Sequence, residues 1–217
     1  ATVVRVRPMG AFNQTGVNAG WPDADVSAAT CRRASSQARH HDADMTKPRT
    51  MGVEEEFLLV GPDGSPVAKA AAALEAAGHS VKGGGTGALE PEFMEEQIET
   101  ATHPRSSLAE LADEIRAGRA RAQAAADRVD AHAVALATSP VPFTGTTVSR
   151  LRYQQARRVF GMTAREQLTS GCHVHVAVDD DEEGVAVIDR IGPWLATVMA
   201  LSTNSPFWQG EDTDYAS

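Results

Sequence analysis

Aromatic side chains are scarce, at 5% of the 217 residues. A core built around large rings is excluded, and the abundance of alanine points to closely packed helices around a modest core. Cysteine is nearly absent. Cys31 and Cys172 are the only two, too few and too far apart for a disulfide framework or a spaced metal motif, so a reducing, cytoplasmic compartment is the expectation. Basic charge is outnumbered, 20 Lys and Arg against 29 Asp and Glu, for a formal net charge of −9. That speaks against a nucleic-acid surface, which needs a basic patch, and is compatible with a site that collects divalent cations. No apolar run reads as reaching the ~18–20 residues of a membrane span. The opening ATVVRVRPMGAF lacks the long apolar centre of a secretory signal. What remains, 42% hydrophobic and 23% charged, is a globular composition of a length suited to one domain with an appendage.

Residues 1–44 differ from the rest. They are polar, turn-rich and without sustained periodicity, and are expected to lack stable structure. Met45 or Met51 is expected to lie close to a natural start, with 1–44 as upstream sequence or a dispensable extension. His40 and His41 are expected to face solvent.

From Met51 the local signals agree. GVEEEFLLV reads as a strand ended by the turn residues GPDG at 61–64. Ala68 to Ala77 reads as a helix, and VKGGGTG at 81–87 as a plain loop, since it lacks the GxxxxGK[ST] pattern of a phosphate loop. FMEEQIETAT at 93–102 reads as a second strand. Ser107 and Glu110 form a capping-box pattern. Leu108, Leu111, Ile115, Ala122, Ala125 and Val129 then share one stripe at helical spacing, with Gly118 on it. A glycine there weakens the helix by about 1 kcal/mol relative to alanine and admits a close neighbour. Arg116, Arg119 and Arg121 lie mostly off the stripe and read as a solvated face. AHAVALATS at 131–139 reads as a strand, a short helix with Arg152, Tyr153 and Arg157 follows, and GCHVHVAV at 171–178 is the cleanest strand. A long helix over roughly 184–202 carries Gly192-Pro193, where a kink is expected.

Three groups carry chemistry. On a strand Glu54 and Glu56 point one way and Glu55 the other. Hard oxygen ligands at this spacing suit Mg²⁺, but a charged edge strand that resists aggregation has the same pattern, and spacing alone leaves both open. Glu95, Gln97 and Glu99 repeat the alternation. Glu92 has the other parity to Glu99 and joins it only if the chain bends between them. His173 and His175 share a face opposite Cys172, Val174, Val176 and Val178, so a ligand or phosphate contact competes with a structural role. A histidine pair also suits Zn²⁺, while the carboxylates favour a harder ion. Cys172 reads as a small core residue.

In chain order, GVEEEF, EFMEEQIETAT, GCHVHVAV and LSTNSPFWQGEDTDYAS resemble four motifs of the carboxylate–amine ligases related to glutamate–cysteine ligase (the type 2 family). The resemblance covers essentially everything after Met51. It implies an α+β fold: a glutamine-synthetase-like catalytic domain, with an antiparallel sheet backed by helices. Residues 45–217 would be the N-terminal part of it, the domain being incomplete at the C-terminus because family members continue past the last motif. It implies an ATP-dependent reaction in which the γ-carboxylate of glutamate becomes an acyl phosphate and is then attacked by an amine such as cysteine. By motif match Glu54, Glu56, Glu99 and His173 would be metal ligands for Mg²⁺, with Glu92 a further one. His175 and Arg152 would bind nucleotide or substrate, and no side chain is assigned a catalytic step. The partners implied are ATP, glutamate and the amine, with neither nucleic acid nor membrane, and homo-oligomerisation stays open. Little or no ligase activity is expected of these 217 residues alone. A non-catalytic Mg²⁺- or nucleotide-binding module and a Zn²⁺ hydrolase are the competing readings.

Overall fold

The computed structural model describes residues 2–8, 48–79 and 87–214. His40, His41, Cys31 and all but the last residue of the glycine-rich loop lie outside them. The strands are β1 (Thr2–Pro8), β2 (Met51–Val60), β3 (Leu89–Pro91), β4 (Gln97–Ala101), β5 (His132–Val134), β6 (Cys172–Val178), β7 (Phe207–Trp208) and β8 (Glu211–Asp212). The helices are α1 (Ala70–Ala76), α2 (Leu108–Asp127), α3 (Leu151–Phe160), α4 (Met162–Glu166) and α5 (Asp181–Leu201). The main sheet runs β1-β6-β2-β4-β3, with β5 also paired to β2, and β7 and β8 form a separate ribbon. All pairings are antiparallel except that of β1 with β6. A mixed α/β fold with an antiparallel sheet and helices is therefore observed.

The ten-residue β2 organises this sheet. Its first half pairs with β6, its middle with β4 on the other edge, and its last three residues with β5. This places the acidic triplet inside the sheet and overturns the charged-edge-strand reading. The period-2 alternation then divides the strand between two cores. Phe57 and Leu59 face α1 and α2 and pack with Ala73, Leu74, Leu89, Ile98, Ala122 and Ala126. Leu58 and Val60 face the other way and pack with Met94 and Leu168. The expected small-residue packing is realised at α2. A Cβ on Gly118 would stand 3.3 Å from the Thr100 hydroxyl oxygen, so the absent side chain lets the helix lie close to β4. Ser107 caps α2, its hydroxyl accepting the Glu110 N–H, the N-cap half of the capping-box pattern.

Several boundaries depart from expectation. Thr2–Pro8 forms a strand within the segment expected to lack structure. The second acidic strand is shorter, because Glu95 and Glu96 leave the sheet in a turn. There the Glu95 carboxylate accepts the Ala71 N–H at the start of α1, and that of Glu96 accepts the Thr146 N–H. Of the 131–139 run only His132–Val134 forms a strand, with Thr138 making an isolated antiparallel bridge to Thr169. Leu108, at the first position of α2, is exposed rather than on the core. Helix α5 starts at Asp181, three residues before the expected 184, and includes Pro193. It is also long and apolar enough by length and composition to cross a membrane, contrary to the sequence reading, in which Asp189, Arg190 and Pro193 masked the run.

Candidate metal centre

The site follows from register. In an antiparallel pair, residues directly opposite each other project to the same face. Glu54 stands opposite His173, Glu56 opposite Glu99, and Glu99 opposite Glu90 on β3. His175 stands opposite Gly52, which has no side chain to fill the space beside Glu54. One sheet face therefore collects Glu54, Glu56, Glu90, Glu99, His173 and His175. Glu55, on the other face, is buried and receives a bidentate ion pair from Arg119 of α2, with N···O distances of 2.6–3.2 Å. Arg119 is thus a partner of the sheet rather than part of a purely solvated face.

The face holds two adjoining sets of donors. In the first, the Glu54 carboxylate lies 3.3 Å from His173 Nδ1 and 3.0 Å from His175 Nε2. The second approach lacks hydrogen-bond angles, so His175 Nε2 is buried with no hydrogen-bond partner. Ligand atoms of the three residues lie within 4.8 Å of one another. Among the described residues no other group of three His, Cys, Asp or Glu meets that condition. The hydrogen bond from His173, against the cost of burial, holds the Glu54 carboxyl down at about 2. A buried ring nitrogen that makes no hydrogen bond, 3.0 Å from a carboxylate held ionised, suits a cation that the three residues would hold together.

The second set is all carboxylate. Burial, then the charges of Glu92, Glu54, Glu56 and Glu90, push the Glu99 carboxyl up to about 9. Burial and the charge of Glu56 raise Glu92 as well. Like charges this close cannot all ionise unless a cation is supplied. Glu56 itself is fixed by Gly171, whose N–H donates to its Oε2 at 2.8 Å.

The structure thus brings together Glu54 and His173 with His175, and sets Glu56, Glu92 and Glu99 beside them. Glu92 arrives by the bend between β3 and β4, the condition its parity demanded. Arg152 is close enough to Glu92 to favour its charged form, but its guanidinium lies 4.5 Å from the Tyr153 ring centre and donates to the Tyr153 hydroxyl. Glu95 is turned away toward α1. Glu90 is the residue that the sequence reading missed. The alternation Leu89-Glu90-Pro91 was its signal, in a strand of three residues, too short to stand out.

Taken together, a sheet face of paired acids and histidines backed by small-residue helices defines a candidate cation-binding α/β domain, and comparison with known proteins gives its family. The family described as "Glutamate-cysteine ligase family 2" (GCS2) matches residues 50–217, and the chain belongs to it. Proteins named "putative glutamate–cysteine ligase 2-1" from Paenarthrobacter aurescens and Streptomyces avermitilis are 49% and 47% identical to it over 173 and 170 residues. Each match covers 78% of this chain and 45% or 46% of the relative. The chain therefore spans less than half the length of these curated relatives.

Proposed function

We propose that this chain carries the metal-binding half of an ATP-dependent carboxylate–amine ligase site, on a glutamine-synthetase-like sheet. The observation that carries the reading is the convergence of Glu54, His173 and His175, whose buried Nε2 makes no hydrogen bond, on a face shared with Glu56, Glu92 and Glu99. In the reaction proposed, a glutamate γ-carboxylate oxygen takes the terminal phosphoryl group of ATP and ADP departs. An amine such as that of cysteine then attacks the acyl carbon, forming the amide as phosphate leaves and the amine nitrogen gives up one proton to solvent. Both steps gather anions, so the site needs positive charge that its own residues do not supply.

Glu54, His173 and His175 would hold one ion, and Glu56, Glu92 and Glu99 a second. Mg²⁺ bound there would neutralise phosphate oxygens and orient the phosphoryl group for transfer. The histidine pair also admits a softer ion, and a Zn²⁺ hydrolase built on it would discard the carboxylate set. Five acids converging on one face, Glu54, Glu56, Glu90, Glu92 and Glu99, favour the ligase reading.

Isothermal titration of Mg–ATP into the wild-type chain and into Glu54→Gln and Glu99→Gln tests it. Binding weakened at least tenfold in both variants is expected. Equal affinities across all three proteins would remove the metal assignment, and preferential Zn²⁺ retention in metal analysis would favour the hydrolase.

A further inference from the structure

We propose that strand β1 adds a phosphate-binding edge to the cation face, where Arg5, with Arg7 beyond it, takes a phosphate group that also contacts the ion proposed at Glu54, His173 and His175. The proposal deepens the ligase reading and rests on its cation set, yet the arginines lie outside the family match, which begins at residue 50. Strand β1 pairs in parallel with β6. Its register sets Val3 beside His173, Arg5 beside His175 and Arg7 beside Ala177. Neighbouring positions of a pleated sheet lie on one face. Val3, Arg5 and Arg7 are therefore placed on the face of the two histidines and, one strand further on, of Glu54 opposite His173. Thr2, Val4, Val6 and Pro8 fall on the other face, beside Cys172, Val174, Val176 and Val178.

Three features support this role. First, the sequence pattern of β1 agrees with its register. Apolar Val4 and Val6 match Val174 and Val176, and a slip of one residue would move both arginines to the valine face. Second, no acid occupies the register position beside either arginine. Strand β6 stands between β1 and the acids of β2, so the β1 and β2 backbones are two strand spacings apart, ~9–10 Å. The register therefore pairs neither arginine with Glu54. Third, the two donor sets differ in charge. Glu54 is the one acid of its set, and the two imidazoles ligate only when neutral. A divalent ion there keeps a net positive charge and, with three protein donors, has coordination positions open. The all-carboxylate set, with Glu56, Glu92 and Glu99, would cancel its ion's charge. An incoming anion is thus drawn to the Glu54 ion, and Arg5, directly beside His175, is the arginine that the register brings next to that set. A guanidinium is a planar fork of donors that suits two phosphate oxygens at once, leaving another for the ion.

Two measurements on the full 217-residue chain separate this proposal from the cation reading. Mn²⁺ binding without phosphate, followed by electron paramagnetic resonance, reads the acid–histidine set. Calorimetric titration of ATP, and separately of inorganic phosphate, at saturating Mn²⁺ reads the arginines. Arg5→Gln is expected to bind Mn²⁺ as the wild type does and ATP at least tenfold more weakly. Hydrogen exchange over residues 2–8 should stay as slow as in the wild type. Arg7→Gln should show a smaller loss, since its register neighbour Ala177 is no ligand. A defect with ATP alone assigns the position to a phosphate of the nucleotide, and an equal defect with inorganic phosphate assigns it to the free anion as well. Equal affinities for both ligands in wild type and Arg5→Gln, with Mn²⁺ bound in each, overturn the proposal and leave the cation set standing. An ATP defect that comes with fast exchange over residues 2–8 also overturns it, because loss of the strand would then be the cause. Absence of Mn²⁺ binding in the wild type overturns the cation reading and this proposal with it.

Discussion

Replacing Glu99 by glutamine should make the metal-free protein more stable while removing its capacity to bind a divalent ion. The Glu99 carboxyl titrates at about 9 rather than at its ordinary 4.5, because it is buried and surrounded by Glu92, Glu54, Glu56 and Glu90. A folded-state value raised above the unfolded one means stability is fully present below about pH 4.5 and is lost as pH rises toward about 9. At pH 7.5 the folded state holds this proton and the unfolded state has released it, a difference of three pH units. At ~1.4 kcal/mol per unit the ceiling is about 4 kcal/mol. Because Glu92 shares the cluster, roughly half of that, about 2 kcal/mol, is assigned to Glu99. Glutamine keeps the shape and removes the penalty, so the melting temperature in chelator at pH 7.5 should rise by ~4–8 °C. The same variant should lose Mg²⁺ or Mn²⁺ binding. In the wild type, titration in two buffers of different ionisation enthalpy should show close to one proton released per ion bound. A wild-type melting temperature that does not fall between pH 5.5 and 8.5 in chelator would refute the electrostatic argument. Unchanged metal affinity in Glu99→Gln would refute the ligand assignment.

Removing the guanidinium in Arg119→Met strands the buried Glu55 carboxylate, and urea unfolding should show a loss of about 2–4 kcal/mol. Pairing that change with Glu55→Gln should recover most of it, giving a clear coupling energy in a double-mutant cycle. Gly118→Leu forces a side chain into Thr100 and should cost ~1–3 kcal/mol, whereas an increase in stability would show that α2 does not lie close to β4. Ser107→Ala should cost about 0.5–1 kcal/mol by loss of the α2 cap, measured by thermal melting, with metal binding unaffected.

Much of the site was legible because strand parity is a rigid rule. Knowing that Glu54 and Glu56 share a face requires only that 51–60 be a strand, and the same holds for His173 and His175. Parity does not reveal which strands are neighbours. Whether β2 was an edge or an interior strand decided between a charged rim and a candidate metal centre, and that depends on pairing across 119 residues of separation, from Glu54 to His173. Glu92 was legible as a condition, since its parity demanded a bend, and the bend is present. Glu90 was not, because three residues give too short a pattern. Arg119 was misread for a similar reason: a helical wheel separates apolar from polar positions but does not show that an acid lies buried beneath one of them. The apolar extent of α5 was hidden by two charges and a proline that interrupt the run without ending the helix.

The three consecutive acids of β2 also govern how faithfully the chain folds. If β2 slipped by one residue against β6 and β4, Glu55 would be alone on the site face, while Glu54 and Glu56 would be pressed against α2 with one arginine between them. Phe57 and Leu59 would exchange places with Leu58 and Val60, at little cost to a strand apolar on both faces at that end. Hydrophobic pattern alone therefore selects poorly between the two registers, and the charges make the choice. The residues proposed to gather a cation are the same ones that penalise the misaligned sheet, so neutralising them for stability would also loosen the pairing that builds the site.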